Sequence, residues 1–163
     1  MNQYGQTGLA LNAHSRGSLT IGNAMDSMTH KLNASGSLSG TNINFFGPAM
    51  NVNNADKTLG GLQNRQAMPT NQQSNAVLQY MNHVADPIGR IVGWNKSTGG
   101  SIPAGSSLVW EMIRAATGQE NTSHNLYFLD QGNLQPKTSP KARQILIDDF
   151  WGSGNPTLQP VKK

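Results

Sequence analysis

Charge is what the chain has least of. Asp, Glu, Lys and Arg make up 12% of its 163 residues, against about 25% in an ordinary soluble domain. Cysteine is absent altogether, which excludes disulfides and thiolate metal sites. Aromatic residues are scarce at 6%, and apolar residues reach 36%. A core running through all 163 residues is therefore not expected; one of about half that size is feasible. No apolar run is long enough for a transmembrane helix. The opening residues MNQYGQTGLALNAHS lack a basic segment followed by an apolar stretch, so no secretory signal is expected.

Asparagine and glycine fill the gap, with 18 of each. Mean hydropathy is −0.48, and the polarity comes from amides and hydroxyls. Such side chains bond to nearby backbone and suit turns and extended segments better than helices. The fold-class expectation is a mostly irregular, extended chain with a small α-helical core of three or four short helices and few or no strands. It is not expected to be an autonomous compact α/β domain.

The expected division has three parts. Residues 1–72 form an extended Gly/Asn/Ser-rich arm with short apolar islands at Leu9-Ala10-Leu11, Leu19-Thr20-Ile21 and Ile43-Asn44-Phe45-Phe46. A weak echo links Leu11–Leu19 with Leu32–Leu38, too poorly matched for a solenoid. Residues 73–152 form the helical core. Val77, Leu78, Met81, Val84 and Ala85 share one face of a helix over 75–85 capped by Ser74. Asp86-Pro87 opens a short turn of helix ending at Gly93. Ser106 or Ser107 caps a helix over 107–117 with Leu108, Val109, Met112, Ile113 and Ala116 on its apolar face. Ser139-Pro140 opens a last helix carrying Ile145, Leu146, Phe150 and Trp151. Trp110, Ile113, Ile145 and Phe150 are expected to be largely buried, in this chain or against a partner. Residues 153–163 form an extended tail.

No catalytic, cofactor or metal site emerges. His14, His30, His83 and His124 show no HExxH spacing, and His83 reads as a satisfied core or interface histidine. His124, with Ser123 before it and Asp130 after it, lacks a nucleophile-elbow pattern around that serine. Glu111 and Glu120 do not form a convincing acid/base pair, because Glu111 suits the helix dipole. Asp148-Asp149 read as a solvated face. Gly99-Gly100 after Lys96 lacks the ending of a phosphate loop. Trp94, Trp110 and Trp151 are candidate interface anchors, with stacking on bases or sugars as the alternative. Phe45 and Phe46, adjacent aromatics in a polar arm, are the leading partner anchors.

The function these features suggest is a non-enzymatic structural component of a large assembly, a tailed-phage virion protein binding neighbouring subunits through extended arms. Its expected location is the virion, assembled in the host cytoplasm. The net charge of +4 and a pI near 9.6 keep an alternative open: a small basic nucleic-acid-associated or ejected virion protein. The basic residues are scattered, so the nucleic-acid signal is weak. A third reading, a hydrolase of cell-wall glycans or esters, has the least support.

Overall fold

The computed structural model describes residues 4–73, 76–119, 122–125, 127, 151 and 157–161. Strand β1 (Ala10–His14) leads into helix α1 (Arg16–Thr29), then strand β2 (Asn42–Phe46) into helix α2 (Val52–Gln63). A 3-10 turn (Arg65–Ala67) and the short α3 (Thr70–Gln73) precede strand β3 (Gln79–Met81). A π-helical turn (Ile88–Val92), α4 (Leu108–Ala116) and the short strand β4 (Gln159–Pro160) follow.

The strands form one sheet in the order β1-β2-β3-β4. β1 and β2 are parallel with Ala13 opposite Phe45, and β2 and β3 are parallel with Phe45 opposite Tyr80. β4 closes the other edge antiparallel to β3. The chain thus makes two successive β-α-β crossovers moving the same way across the sheet. Crossovers of one hand place both helices on the same face. Alternation then sends Leu11, Ala13, Ile43, Phe45 and Tyr80 toward the helices, where they meet Met25 and Met28 of α1 and Val52, Ala55, Leu59 and Leu62 of α2. The opposite face carries Asn12 and Asn44, whose amides hydrogen-bond across the strands at 2.9 Å.

This compact α/β arrangement corrects the fold-class expectation. The segment expected to be an extended arm supplies two strands and two helices. The reason lies in how α1 and α2 bury their inner faces. α1 buries Ser18, Gly22, Met25 and Met28, so half of its helical stripe is small or polar. A Cβ at Gly22 would strike the Met50 side chain, so close approach, not apolar mass, sets that contact. α2 buries Asp56 and Gln63 beside Val52, Leu59 and Leu62. Asparagine does structural work in the same region. Asn51 caps α2 by accepting from the Asn54 N–H at 3.1 Å, and Asn64 ends it in the left-handed conformation at φ 55.

The helix expected over 75–85 is a second correction. Gln79–Met81 is a strand, because its backbone finds partners on both sides: the Gly47 N–H donates to the Met81 carbonyl at 2.9 Å and the Val161 N–H to the Leu78 carbonyl at 3.0 Å. Sheet pairing overrides a helical spacing in this short apolar run. The turn after Asp86-Pro87 and the helix capped by Ser107, which accepts from the Trp110 N–H at 3.2 Å, lie where expected. α4 is inverted, however. It buries Glu111 and Ala115 and leaves Leu108, Val109, Trp110 and Ile113 exposed, so Trp110 and Ile113 are not buried within this chain. Glu111 can be buried because Ser106 Oγ donates to it at 2.6 Å and Arg114 pairs with it at 3.3 Å. Ile145, Leu146 and Phe150 lie outside the described residues. Among the described residues no helix is long and apolar enough to cross a membrane.

Candidate active site

The carboxyl ends of parallel strands are where α/β sheets place their sites. Here three such ends converge on one buried polar cluster. β1 delivers His14 and Ser15, β2 delivers Phe46 and Gly47, and β3 delivers His83 and Asp86.

Ser15 stands between the last residue of β1 and the first of α1, at φ 51 and ψ −121. That region is nearly closed to residues with a Cβ. The surroundings hold it there. Its N–H donates to the Phe46 carbonyl at 3.0 Å. Its own carbonyl accepts from the Ser18 N–H at 3.0 Å, the Ala49 N–H at 3.3 Å and the Ser18 hydroxyl at 2.7 Å. The flanking residues are small: Ala13 is buried, and a Cβ on Gly17 would lie 3.5 Å from the Ala13 Cβ. Strand and helix can therefore meet at a sharp turn. The Ser15 hydroxyl, half-buried, makes no hydrogen bond among the described residues. The Arg16 N–H, at the start of α1, is one of the donors that a helix leaves without an intrahelical acceptor.

Beside this turn lies a histidine–carboxylate pair. His124 Nδ1 is 2.9 Å from Asp86 Oδ1. The same oxygen accepts from the Ile88 N–H at 2.9 Å and the Gly89 N–H at 3.2 Å. Asp86 Oδ2 accepts from the Tyr127 hydroxyl at 2.7 Å, and that hydroxyl oxygen accepts from the His83 N–H at 2.7 Å. Burial pushes the Asp86 carboxyl up, yet the bonds from His124, Tyr127 and Gly89 outweigh it and hold it below the usual carboxylate range. An ionised carboxylate only accepts, so it fixes a proton on His124 Nδ1 and leaves Nε2 as the basic nitrogen. Burial and the Asp86 charge hold the Tyr127 hydroxyl well above its usual value, so it remains a donor.

Two further residues shape the site. A Cβ on Gly47, at φ 51, would strike the Asp86 carboxylate and lie 2.8 Å from Tyr127 Cε2 and 3.3 Å from His124 Nδ1. Only glycine lets β2 end against the pair. His14 Nε2 donates to the His124 carbonyl at 2.8 Å, with the two rings 4.5 Å apart. Burial and the neighbouring His124 hold the His14 imidazole below its usual value. Trp151 closes the cluster, its ring 5.0 Å from His83 and 5.6 Å from Tyr127. Among the described residues no three His, Cys, Asp or Glu side chains are grouped to hold a metal ion.

The residues singled out from sequence fall in different places. Phe45 is fully buried in the helix-side core. Phe46 is buried on the other face with its ring 6.5 Å from Tyr127. Neither is available at the surface to grip a partner. Trp94 and Trp110 are exposed, and Trp151 is buried. His124 belongs to the cluster, but its carboxylate is Asp86, while the neighbouring Ser123 donates its hydroxyl to the Ala85 carbonyl. Asp130, Glu120, Asp148 and Asp149 lie outside the described residues. Sequence reading missed Ser15 and the second role of Asp86. A signal for Ser15 was present: Ala13-His14-Ser15-Arg16-Gly17 places small residues two before and two after a serine, following an apolar run. No protein family, no curated protein and no solved structure matches this chain.

Proposed function

We propose that the chain is a serine hydrolase core that cleaves carboxylic esters by acyl transfer through Ser15, His124 and Asp86. The observation that carries this reading is the strained strand-to-helix turn at Ser15 beside a buried Asp86–His124 pair. Strain of this kind persists only where the surroundings over-determine it, and it clusters at functional sites. The chain order Ser15, Asp86, His124 is the order of nucleophile, acid and base in α/β-hydrolases. The analogy covers the turn and the two loops after the neighbouring strands.

In this reading Ser15 Oγ attacks the ester carbonyl and its proton passes to His124 Nε2. Asp86 stabilises the imidazolium and holds the ring. The negative oxygen of the tetrahedral intermediate faces the Arg16 N–H and the positive end of α1. Collapse expels the alcohol, which takes the proton from His124. Water, deprotonated by His124, then releases the acid and frees Ser15. No Ser15–His124 hydrogen bond is formed in the ligand-free chain. Such bonds are often long before substrate binds.

A fluorophosphonate tests the reading, because Ser15 Oγ would displace fluoride and keep the phosphonyl group. Mass spectrometry should find one adduct per chain on the peptide containing Ser15, absent from Ser15→Ala and from His124→Ala. Labelling elsewhere, or none in folded protein, would remove the proposal.

A second reading, the virion structural component suggested by composition, has one supporting observation. α4 turns Leu108, Val109, Trp110 and Ile113 to solvent, a pattern that suits docking to another protein. Replacing Val109 and Trp110 with serine should then prevent co-purification with the assembly.

A further inference from the structure

Away from Ser15 lies a cleft of about 1130 Å³ lined by Asn53, Tyr80, Arg90, Trp94, Lys96 and Gln159 among others. Neither Ser15, Asp86 nor His124 lines it. Trp94 stands at its rim with 79% of its surface exposed. Its backbone lies in the left-handed region at φ 54, a true outlier for a bulky residue.

The reason the outlier falls on Trp94 can be traced. Gly93 ends the π-helical turn, its N–H donating to the Ile88 carbonyl at 2.8 Å. A Cβ at Gly93 would strike the Pro48 carbonyl and the Asn95 amide, so the glycine is needed there. The left-handed step is then taken one residue later. Asn95 pins the far side. Its N–H donates to the Gly89 carbonyl at 3.0 Å, and its amide donates to the Pro48 and Met50 carbonyls at 3.1 and 2.9 Å. A glycine at 94 would adopt this turn without strain. A tryptophan there gains almost no packing within the chain. A strained, exposed indole held rigid at a cleft rim is a platform for a ligand.

The lining indicates which ligand. Arg90 and Lys96 bring two positive charges; among the described residues no carboxylate lines the cleft and neither cation forms an ion pair. Tyr80 and Asn53 side chains make no hydrogen bonds among the described residues, leaving them open to hydroxyl groups. Two of the first three donors of α2 are already taken. Asn95 Oδ1 accepts from the Val52 N–H at 2.9 Å and Asn51 Oδ1 from the Asn54 N–H at 3.1 Å. The helix-terminal N–H cradle that a phosphate uses is therefore reduced to the Asn53 N–H, which disfavours a nucleotide. We propose that this cleft binds an acidic oligosaccharide. The apolar face of a pyranose ring stacks on Trp94, and uronate carboxylates meet Arg90 and Lys96.

Calorimetry with trimers of galacturonate, glucuronate and mannuronate at low salt tests this, with galactotriose as the neutral control and ATP as the nucleotide control. At least one acidic trimer should bind with a Kd between about 10 µM and 1 mM, weakening as salt rises. Trp94→Gly should melt at the same or a higher temperature yet bind about tenfold or more weakly, since a stacking platform is lost. Lys96→Gln, on an exposed side chain, should fold normally and bind several-fold more weakly. Four results would overturn the assignment: no acidic trimer binding up to about 10 mM, galactotriose binding equally well, ATP binding more tightly, or Trp94→Gly losing stability while keeping affinity.

Discussion

Asp56 and Asp86 are both buried carboxylates, and their surroundings differ in one respect that matters. Asp56 is closed on all sides. Arg65 grips both of its oxygens at 2.9 Å, and the Leu78 N–H donates to one of them at 2.9 Å. The arginine's remaining donors go to Gln63 Oε1 and the Ala76 carbonyl. That knot joins α2, the 3-10 turn and the approach to β3. Asp86 is more deeply buried and accepts four hydrogen bonds, but one donor is a histidine. An imidazole held at one nitrogen can pass a proton through the other, and this one lies against His14, the residue before the strained turn at Ser15. The comparison teaches that burial and hydrogen bonding alone do not mark a site. What marks it is a partner able to move a proton.

The sharpest way to break the comparison is at Ser15, the proposed nucleophile. Ser15→Ala should reduce hydrolysis of an activated ester by at least about 10⁵-fold while the melting temperature stays close to that of the parent. An activity loss below tenfold would place Ser15 outside the chemistry. The two carboxylates can then be tested as a pair. Asp86→Asn keeps an oxygen for the Ile88 and Gly89 N–H groups but no longer fixes the histidine tautomer. Activity should fall on the order of 10³–10⁴-fold, with stability reduced far less. Asp56→Ala should do the reverse. It strands the Arg65 guanidinium, costing about 3–5 kcal/mol in denaturant unfolding, and the protein that remains folded should label with fluorophosphonate at the parent rate. Matching phenotypes for the two variants would erase the distinction.

Smaller effects sharpen it. Ser15→Gly should raise stability by about 1 kcal/mol by relieving the turn and should abolish labelling. A loss of stability would mean the turn is not strained. The mildest expected effect is with pH. His14 and Asp86 both lie below their usual values when folded, so the unfolded chain binds their protons first. Stability that is complete above about pH 6.5 should therefore decline on acidification, first through His14 and then, below about pH 4, through Asp86. His14→Gln should flatten the melting temperature between about pH 7 and pH 5. An unchanged slope would separate His14 from the pair.

Two element starts in the second half were legible because their signals are local. Ser107 caps α4 and Asp86-Pro87 opens the next turn, as short-range chemistry requires. The first half was read as an extended arm, since four of the ten buried positions of α1 and α2 are Ser18, Gly22, Asp56 and Gln63. Those positions become interior only when a strand, a neighbouring helix or Arg65 lies against them. The turn at Ser15 carries Ala13 where the Gly-x-Ser-x-Gly pattern has a glycine, so it does not match that pattern, although the turn needs only a small residue there.

By itself, then, the sequence determined composition, caps, helix stops and the short apolar runs that become β1 and β2, all settled by neighbours a few residues apart. The tertiary structure alone decided three things. It made 79–81 a strand, because sheet partners from 44–46 and 159–160 outcompete an isolated turn of helix. It turned the apolar side of α4 outward and buried Glu111, because Ser106 and Arg114 satisfy the charge. It brought His14, Asp86 and His124 together from positions up to 110 apart in the chain, because parallel strands deliver their carboxyl ends to one edge whatever the sequence distance between them.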